Sequence, residues 1–193
     1  MDVDRYIRCR IGSDYPGGRY GGEDVKMRFG APWSTSVKVT TMLVVVTIAI
    51  VVIVGISLWE DVRSGSSVLI ALFAIVIPAL TLVVSACWMI RGYTVTGEML
   101  LVLRLGWQSK LDLKALESVE ADPEAMARSL RTFGNGGLFC FCGRFRNKQL
   151  GAYRAYATDP KRSVVLKFQD QTVVVTPDRP DDFVACIKDR TGL

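Results

Sequence analysis

Two stretches decide the architecture: Val37–Leu58, VKVTTMLVVVTIAIVVIVGISL, and Val68–Ile90, VLIALFAIVIPALTLVVSACWMI. The first carries one charge, Lys38, near its start, and the second carries none. A helix of about 20 apolar residues crosses the hydrocarbon core of a bilayer, and both stretches reach that length. A buried helix of a water-soluble protein is the competing reading for one such run, but two in a chain of 193 residues argue against it. A cleaved signal peptide fits poorly, because a long polar segment precedes the first run and no short apolar core with a small-residue cleavage site is present.

The connection, Leu58–Ser67 (LWEDVRSGSS), is short and turn-rich, so the sequence predicts antiparallel neighbours: a transmembrane hairpin over residues 37–91. Trp59 and Trp88 fall near segment ends, where amphipathic rings favour the interface. Pro78, near the middle of the second run, predicts a kink. Arg5, Arg8, Arg10, Arg19, Lys26, Arg28 and Lys38 precede or open the first run, and Arg91 follows the second. The connection holds only Arg63, beside Glu60 and Asp61. By the positive-inside rule both termini lie in the cytoplasm, giving a multi-pass protein of the inner or plasma membrane.

Residues 1–36 include YPGGRYGG (Tyr15–Gly22) and lack apolar periodicity, which predicts a flexible cytoplasmic tail. Residues 92–193 alternate as short strands: Tyr93–Val95, Met99–Leu105, Trp107–Leu113, Leu116–Ala121, Leu138–Phe145, Gly151–Ala157, and a hairpin of Ser163–Phe168 with Gln171–Thr176. In Leu138–Phe145 (LFCFCGRF), alternation puts Phe139, Phe141 and Phe145 on one face and Cys140, Cys142 and Arg144 on the other. A final helix starts at Pro180, with Asp181 and Asp182 at its positive end, Phe183 and Ile187 one turn apart, and Lys188 and Arg190 toward its C-terminus. The expected fold is therefore about seven antiparallel strands closed by a C-terminal helix, joined to the helix hairpin by little more than Arg91-Gly92.

Composition narrows the chemistry. The chain has no histidine, which removes His-based acid–base catalysis, Ser-His or Cys-His nucleophiles and His-containing metal sites. Its five cysteines, Cys9, Cys87, Cys140, Cys142 and Cys186, show no disulfide spacing. Cys140-x-Cys142 offers two thiols but no third metal ligand, so small residues packing on a sheet compete with a thiol-based activity. No G-x-G-x-x-G or Walker loop occurs. Neither a cofactor nor a metal is expected, and no catalytic residue is assigned.

The net charge is +5, and cations crowd one region. Arg128, Arg131, Arg144, Arg146, Lys148, Arg154, Lys161, Arg162 and Lys167 are interrupted by the single acid Asp159. So close to a membrane, they form a candidate surface for anionic headgroups. A solvated face that merely sets topology is the alternative. Gly136 and Gly137 close the run Gly134-Asn135-Gly136-Gly137, whose amides either turn toward an anion or form a tight turn. No nucleic-acid motif organises the basic stretch.

The segments FGNGG, GRFRN, LGAYRAYATD and VTPDRPDDF, spread over most of residues 92–188, resemble the bacterial PH-like (pleckstrin-homology-like) membrane proteins in which two helices precede the domain. The resemblance implies two packed antiparallel sheets with a capping helix. It also implies a non-catalytic binding module for lipids, peptides or proteins, with Cys140 and Cys142 standing where glycine or an aromatic is expected. Anionic lipid headgroups or a partner protein at the inner leaflet are the expected ligands, with no nucleic acid. An oligomeric scaffold is the alternative, and a thiol enzyme using Cys140 and Cys142 the remote one.

Overall fold

The computed structural model describes residues 26–57 and 67–193. The connection at Leu58–Ser66 and most of the expected tail, with Cys9, lie outside the described residues.

Helix α1 spans Thr35–Ser57 and α2 spans Ser67–Cys87, and the two helices pack against each other. Thr35–Gly55 is long and apolar enough to cross a membrane, and Val76–Cys87 continues the apolar character in α2. Many apolar side chains of the two helices face outward, among them Leu43, Ile50, Ile53, Ile77, Leu80 and Val83. Polar side chains in this apolar band turn inward on their own backbone: Thr47, Ser57 and Thr81 each donate to the carbonyl four residues earlier. Pro78 sits inside α2.

The domain is two sheets and a helix. One sheet has the order β1-β2-β3-β4, formed by Met27–Gly30, Ile90–Thr96, Met99–Arg104 and Gln108–Asp112. The other has the order β5-β9-β10-β8-β7-β6, formed by Leu116–Ala121 (β5), Leu130–Gly136 (β6), Phe141–Asn147 (β7), Gly151–Ala157 (β8), Val164–Phe168 (β9) and Thr172–Val175 (β10). Their inner faces meet in a core built from Val95, Leu100, Val102, Leu166, Val173 and Val175, and helix α3 (Pro180–Thr191) seals it with Phe183 and Ile187. Gly192 ends α3 in the left-handed conformation and donates to the Lys188 carbonyl at 2.9 Å. A smaller cluster, with Phe145, Tyr153 and Val165, lies on the outer side of the second sheet beneath Ala125 and Met126.

Four features differ from the sequence expectation. First, the strands number ten among the described residues, and they are not all antiparallel. The chain leaves β8 through a short 3-10 turn (Pro160–Arg162), forms β9, and returns as β10 between β9 and β8, so β10 runs parallel to β8. Second, part of the expected tail is a strand: β1 pairs with β2 in the register Met27↔Val95 to Gly30↔Gly92. Phe29 is buried against Phe183 at 5.0 Å between ring centres, which explains why so short and glycine-flanked a segment holds. Third, α2 stops at Cys87. Trp88–Ile90, read as membrane residues, belong to the domain, and Ile90 is wholly buried in its core. Fourth, Gly92 is not slack. It lies within β2, where a Cβ would stand 2.7 Å from the Phe29 carbonyl oxygen, so only glycine permits the approach of β1.

The helices are fixed to this domain at their base. Ser34 caps α1, accepting from the Val37 amide at 3.2 Å, while its own amide donates to the Thr158 carbonyl at 3.1 Å. Val37 is fully buried, and Thr41 accepts a hydrogen bond from the Phe139 amide at 3.1 Å. On the α2 side, the Cys140 thiol donates to the Trp88 carbonyl at 3.4 Å.

Candidate functional site

A cleft of about 790 Å³ opens between the two sheets, where β3 and β4 diverge from β7 and β8. The inward row of β3 runs Leu100, Val102, Arg104, so alternation sends an arginine where the row leads one to expect a third hydrophobe. The Arg104 amide donates to the Trp107 carbonyl at 3.0 Å, closing the β3–β4 turn and placing Trp107 beside it. The guanidinium then lies among three aromatic rings. Its carbon is 5.4 Å from the ring centres of Trp88 and Trp107 and 5.2 Å from that of Tyr156. Ring quadrupoles stabilise the cation from above and below its plane but leave its in-plane N–H groups unused. Its Nε is buried and has no hydrogen-bond partner among the described residues.

The opposite wall is the inner face of β7 and β8. Register sets Arg144 directly across from Arg154, with Cys142 across from Tyr156 on the same face. Arg154 also stacks on Tyr156, its guanidinium carbon 5.8 Å from the ring centre. Like charges directly opposite on one face destabilise a sheet. Lys110, Ser109 and Gln171 complete the polar lining, and among the described residues no carboxylate lines the cleft. The cleft is thus a dense, unneutralised positive field with aromatic walls.

Cys142 reports that field. Its thiol is held below the usual cysteine range, first by the hydrogen bond from neighbouring Cys140 and then by Arg104 and Arg154, against the opposing effect of burial. The Cys140 thiol is pushed up by its bond to Cys142 and by burial. Both side chains are buried, and no third metal-ligating group gathers with them among the described residues.

The basic residues singled out in the sequence separate into groups. Arg144 and Arg154 meet in the cleft. Arg146 continues the Arg144 row along β7, paired across from Leu130 and Ala152 and exposed. Lys148 lies in the β7–β8 turn, at the far end of the strands from the helices. Arg128 sits in the loop before β6 with φ 50°, and Arg131 on exposed β6 lies over Gly136. Gly136 ends β6, and Gly137, with φ 125°, donates to the Cys140 carbonyl at 3.0 Å. Their segment is therefore the tight turn of the β6–β7 hairpin, whose tip is seated on α1 through Phe139. Phe139, read as part of a strand face, instead takes φ 63° in this turn and meets Trp33 edge-on at 6.0 Å.

Sequence reading missed Arg104, Trp107 and Lys110. The signal was present: Leu100, Val102 and Arg104 keep one parity, and a strand whose buried row ends in a cation next to Trp107 calls for an explanation.

Comparison with known proteins agrees with this architecture. The family model described as Bacterial PH domain matches residues 91–191, just over half of the chain. No curated protein and no solved structure matches. PH domains are in general non-catalytic binding modules. Two stacked sheets, a C-terminal helix over their core and the matched span together lead to one assignment: the chain belongs to the bacterial PH domain family.

Proposed function

We propose that the chain is an integral membrane protein whose α1 and α2 form a transmembrane hairpin with both termini cytoplasmic. Its PH domain is a binding module for anionic lipid headgroups at the inner leaflet. The observation that carries this reading is the position of the cleft. Trp88 follows α2 directly and forms part of the cleft wall, so the convergent cations Arg104, Arg144 and Arg154 stand at the end of the domain from which the helices leave. A membrane crossed by those helices brings its headgroups to that end. In this reading Arg128, Arg131, Arg146 and Lys148 supply diffuse attraction, on the order of 1 kcal/mol each where they come near an anionic surface. Gly136 and Gly137 shape the turn that seats the hairpin tip.

The test uses the full chain in nanodiscs of neutral lipid, doped with an anionic lipid. Native mass spectrometry should retain the anionic lipid on the wild type and lose it in Arg144→Ser, Arg154→Ser. Equal retention by the variant would remove the headgroup reading. Cysteine introduced at Ser64 in a Cys9→Ser background should react with an impermeant maleimide only from outside; labelling of that cysteine from the cytoplasm would overturn the topology.

One observation favours an assembly role as well. At the edge of the second sheet as the described residues form it, β6 exposes Leu130 and Phe133, 75% and 72% accessible. A strictly monomeric mass in nanodiscs would count against it.

A further inference from the structure

We propose that the cleft between β3–β4 and β7–β8 is a phosphomonoester site, filled by the terminal phosphate of a lipid from the membrane that holds the helices. This deepens the binding-module reading and rests on it.

Charge and donor geometry select the monoester. Arg104, Lys110, Arg144 and Arg154 line the cleft without a carboxylate among the described residues. Arg144 and Arg154 are register partners, so their Cα-to-Cβ bonds leave the sheet side by side, with Cβ atoms about 5 Å apart. One oxyanion between them turns a repulsive pair into two charge-assisted contacts. Arg104 faces them from the other sheet. Its π contacts fix the guanidinium plane in advance, and its buried Nε has no partner among the described residues. Three arginines therefore line the cleft from two walls. A phosphomonoester brings three terminal oxygens and a charge of about −1.5 to −2, one oxygen for each fork. A phosphodiester offers two such oxygens and a single charge, which leaves one fork unmatched.

The rim selects a lipid over a free phosphate. Trp107, 42% accessible, lines the cleft on one side, and exposed Phe133 lines it on the other. The Leu105-Gly106 turn follows Arg104, whose register partner is Ile90, three residues after α2 ends. The apolar rim thus sits at the helix-proximal end, where interfacial aromatic side chains meet glycerol and the first acyl carbons. The volume of about 790 Å³ accommodates a phosphate with its glycerol.

The experiment compares the full chain in phosphatidylcholine nanodiscs doped with equal fractions of phosphatidic acid or phosphatidylglycerol. Retention by native mass spectrometry is read together with Trp fluorescence. Phosphatidic acid should be retained at least tenfold more strongly. Arg104→Lys keeps the charge but loses the fork, and it should remove that preference, as should exposed Arg144→Gln, which leaves the core untouched. Lys188→Ser, on the exposed face of α3 and outside the cleft, should change nothing. Equal retention of both lipids, lost together in the arginine variants, would overturn the monoester assignment while leaving headgroup binding intact. Indifference to both lipids would overturn the headgroup reading itself. Added glycerol 3-phosphate in undoped nanodiscs should not shift the Trp signal at concentrations matching the doped lipid. A shift equal to that of phosphatidic acid would overturn the lipid source.

Discussion

Tyr93→Phe isolates the polar contact that joins the two sheets. Tyr93 lies on β2 of the first sheet and is wholly buried. Its hydroxyl donates to the Tyr156 carbonyl on β8 at 2.6 Å and accepts from the Thr176 amide at 3.1 Å. Thr176 Oγ1, 3.4 Å away, receives the Thr158 amide at 2.8 Å, so the hydroxyl is part of a buried network. The substitution keeps the ring, and with it the edge contact to Phe183 at 6.2 Å. What disappears is the acceptor for the Thr176 amide and a donor to the Tyr156 carbonyl. Stranding one buried donor costs about 1–3 kcal/mol. For a domain near 100 residues each kcal/mol moves Tm by roughly 4–8 °C, so a loss of about 2 kcal/mol lowers Tm by roughly 8–16 °C. The assay is thermal unfolding of the full chain in detergent, followed through Trp88 and Trp107. A Tm within about 2 °C of wild type would refute the reasoning that this hydroxyl holds the sheets together.

The same residue predicts an alkaline limit. Burial raises the Tyr93 phenol above its ordinary value, so the folded state keeps a proton that the unfolded chain releases near pH 10. Stability is therefore full below about pH 10 and falls above it by up to about 1.4 kcal/mol per pH unit. Tyr93→Phe should flatten that fall in pH-dependent denaturation, leaving the contribution of Tyr153, which is raised by the same cause. Gly143→Ala should detach β6 from β7, because a Cβ there would meet the Phe133 carbonyl oxygen at 2.1 Å and φ is 143°. A cost of at least about 3 kcal/mol follows, visible as rapid hydrogen exchange throughout Leu130–Gly136. Thr41→Val removes the acceptor of the Phe139 amide and, at about 1 kcal/mol, should speed exchange at the hairpin tip roughly fivefold. Unchanged exchange there would show that the tip is held by Trp33 instead.

Most strands of the domain were legible because their alternation is strong. Val164–Phe168 and Thr172–Val175 are almost pure β-branched and aromatic sequence around a Gln169-Asp170-Gln171 turn, and α3 announces itself with Pro180, two aspartates and Gly192. β1 and β6 were not legible, for opposite reasons. Met27–Gly30 is four residues long and depends wholly on a partner more than 60 positions away. Leu130–Gly136 ends in glycines that read as a turn, yet Gly134 and Gly143 are register partners. Their missing side chains allow two backbones to touch where any Cβ would collide. The candidate site was half visible. Composition pointed to Arg144 and Arg154 but could not separate them from Arg128, Arg146 or Lys148, since all five sit in one basic stretch. What separates them is register: Arg144 opposite Arg154, and Arg104 arriving from a strand 40 positions earlier in the sequence.

The pairing of β1 with β2 has a consequence for biogenesis. Gly30 and Gly92 are neighbours across the sheet, so both helices together are the loop of one very long β-hairpin. During synthesis β1 emerges first and has nothing to pair with until the ribosome has made both helices. At ordinary elongation rates that wait is roughly 3–12 s. In the proposed transmembrane topology the first sheet therefore closes only behind a completed hairpin, and an α2 that fails to return to the side of β1 strands β2 away from it. Formation of the binding domain then serves as a built-in readout of correct insertion, and a misinserted chain would be left with an open, protease-accessible sheet edge.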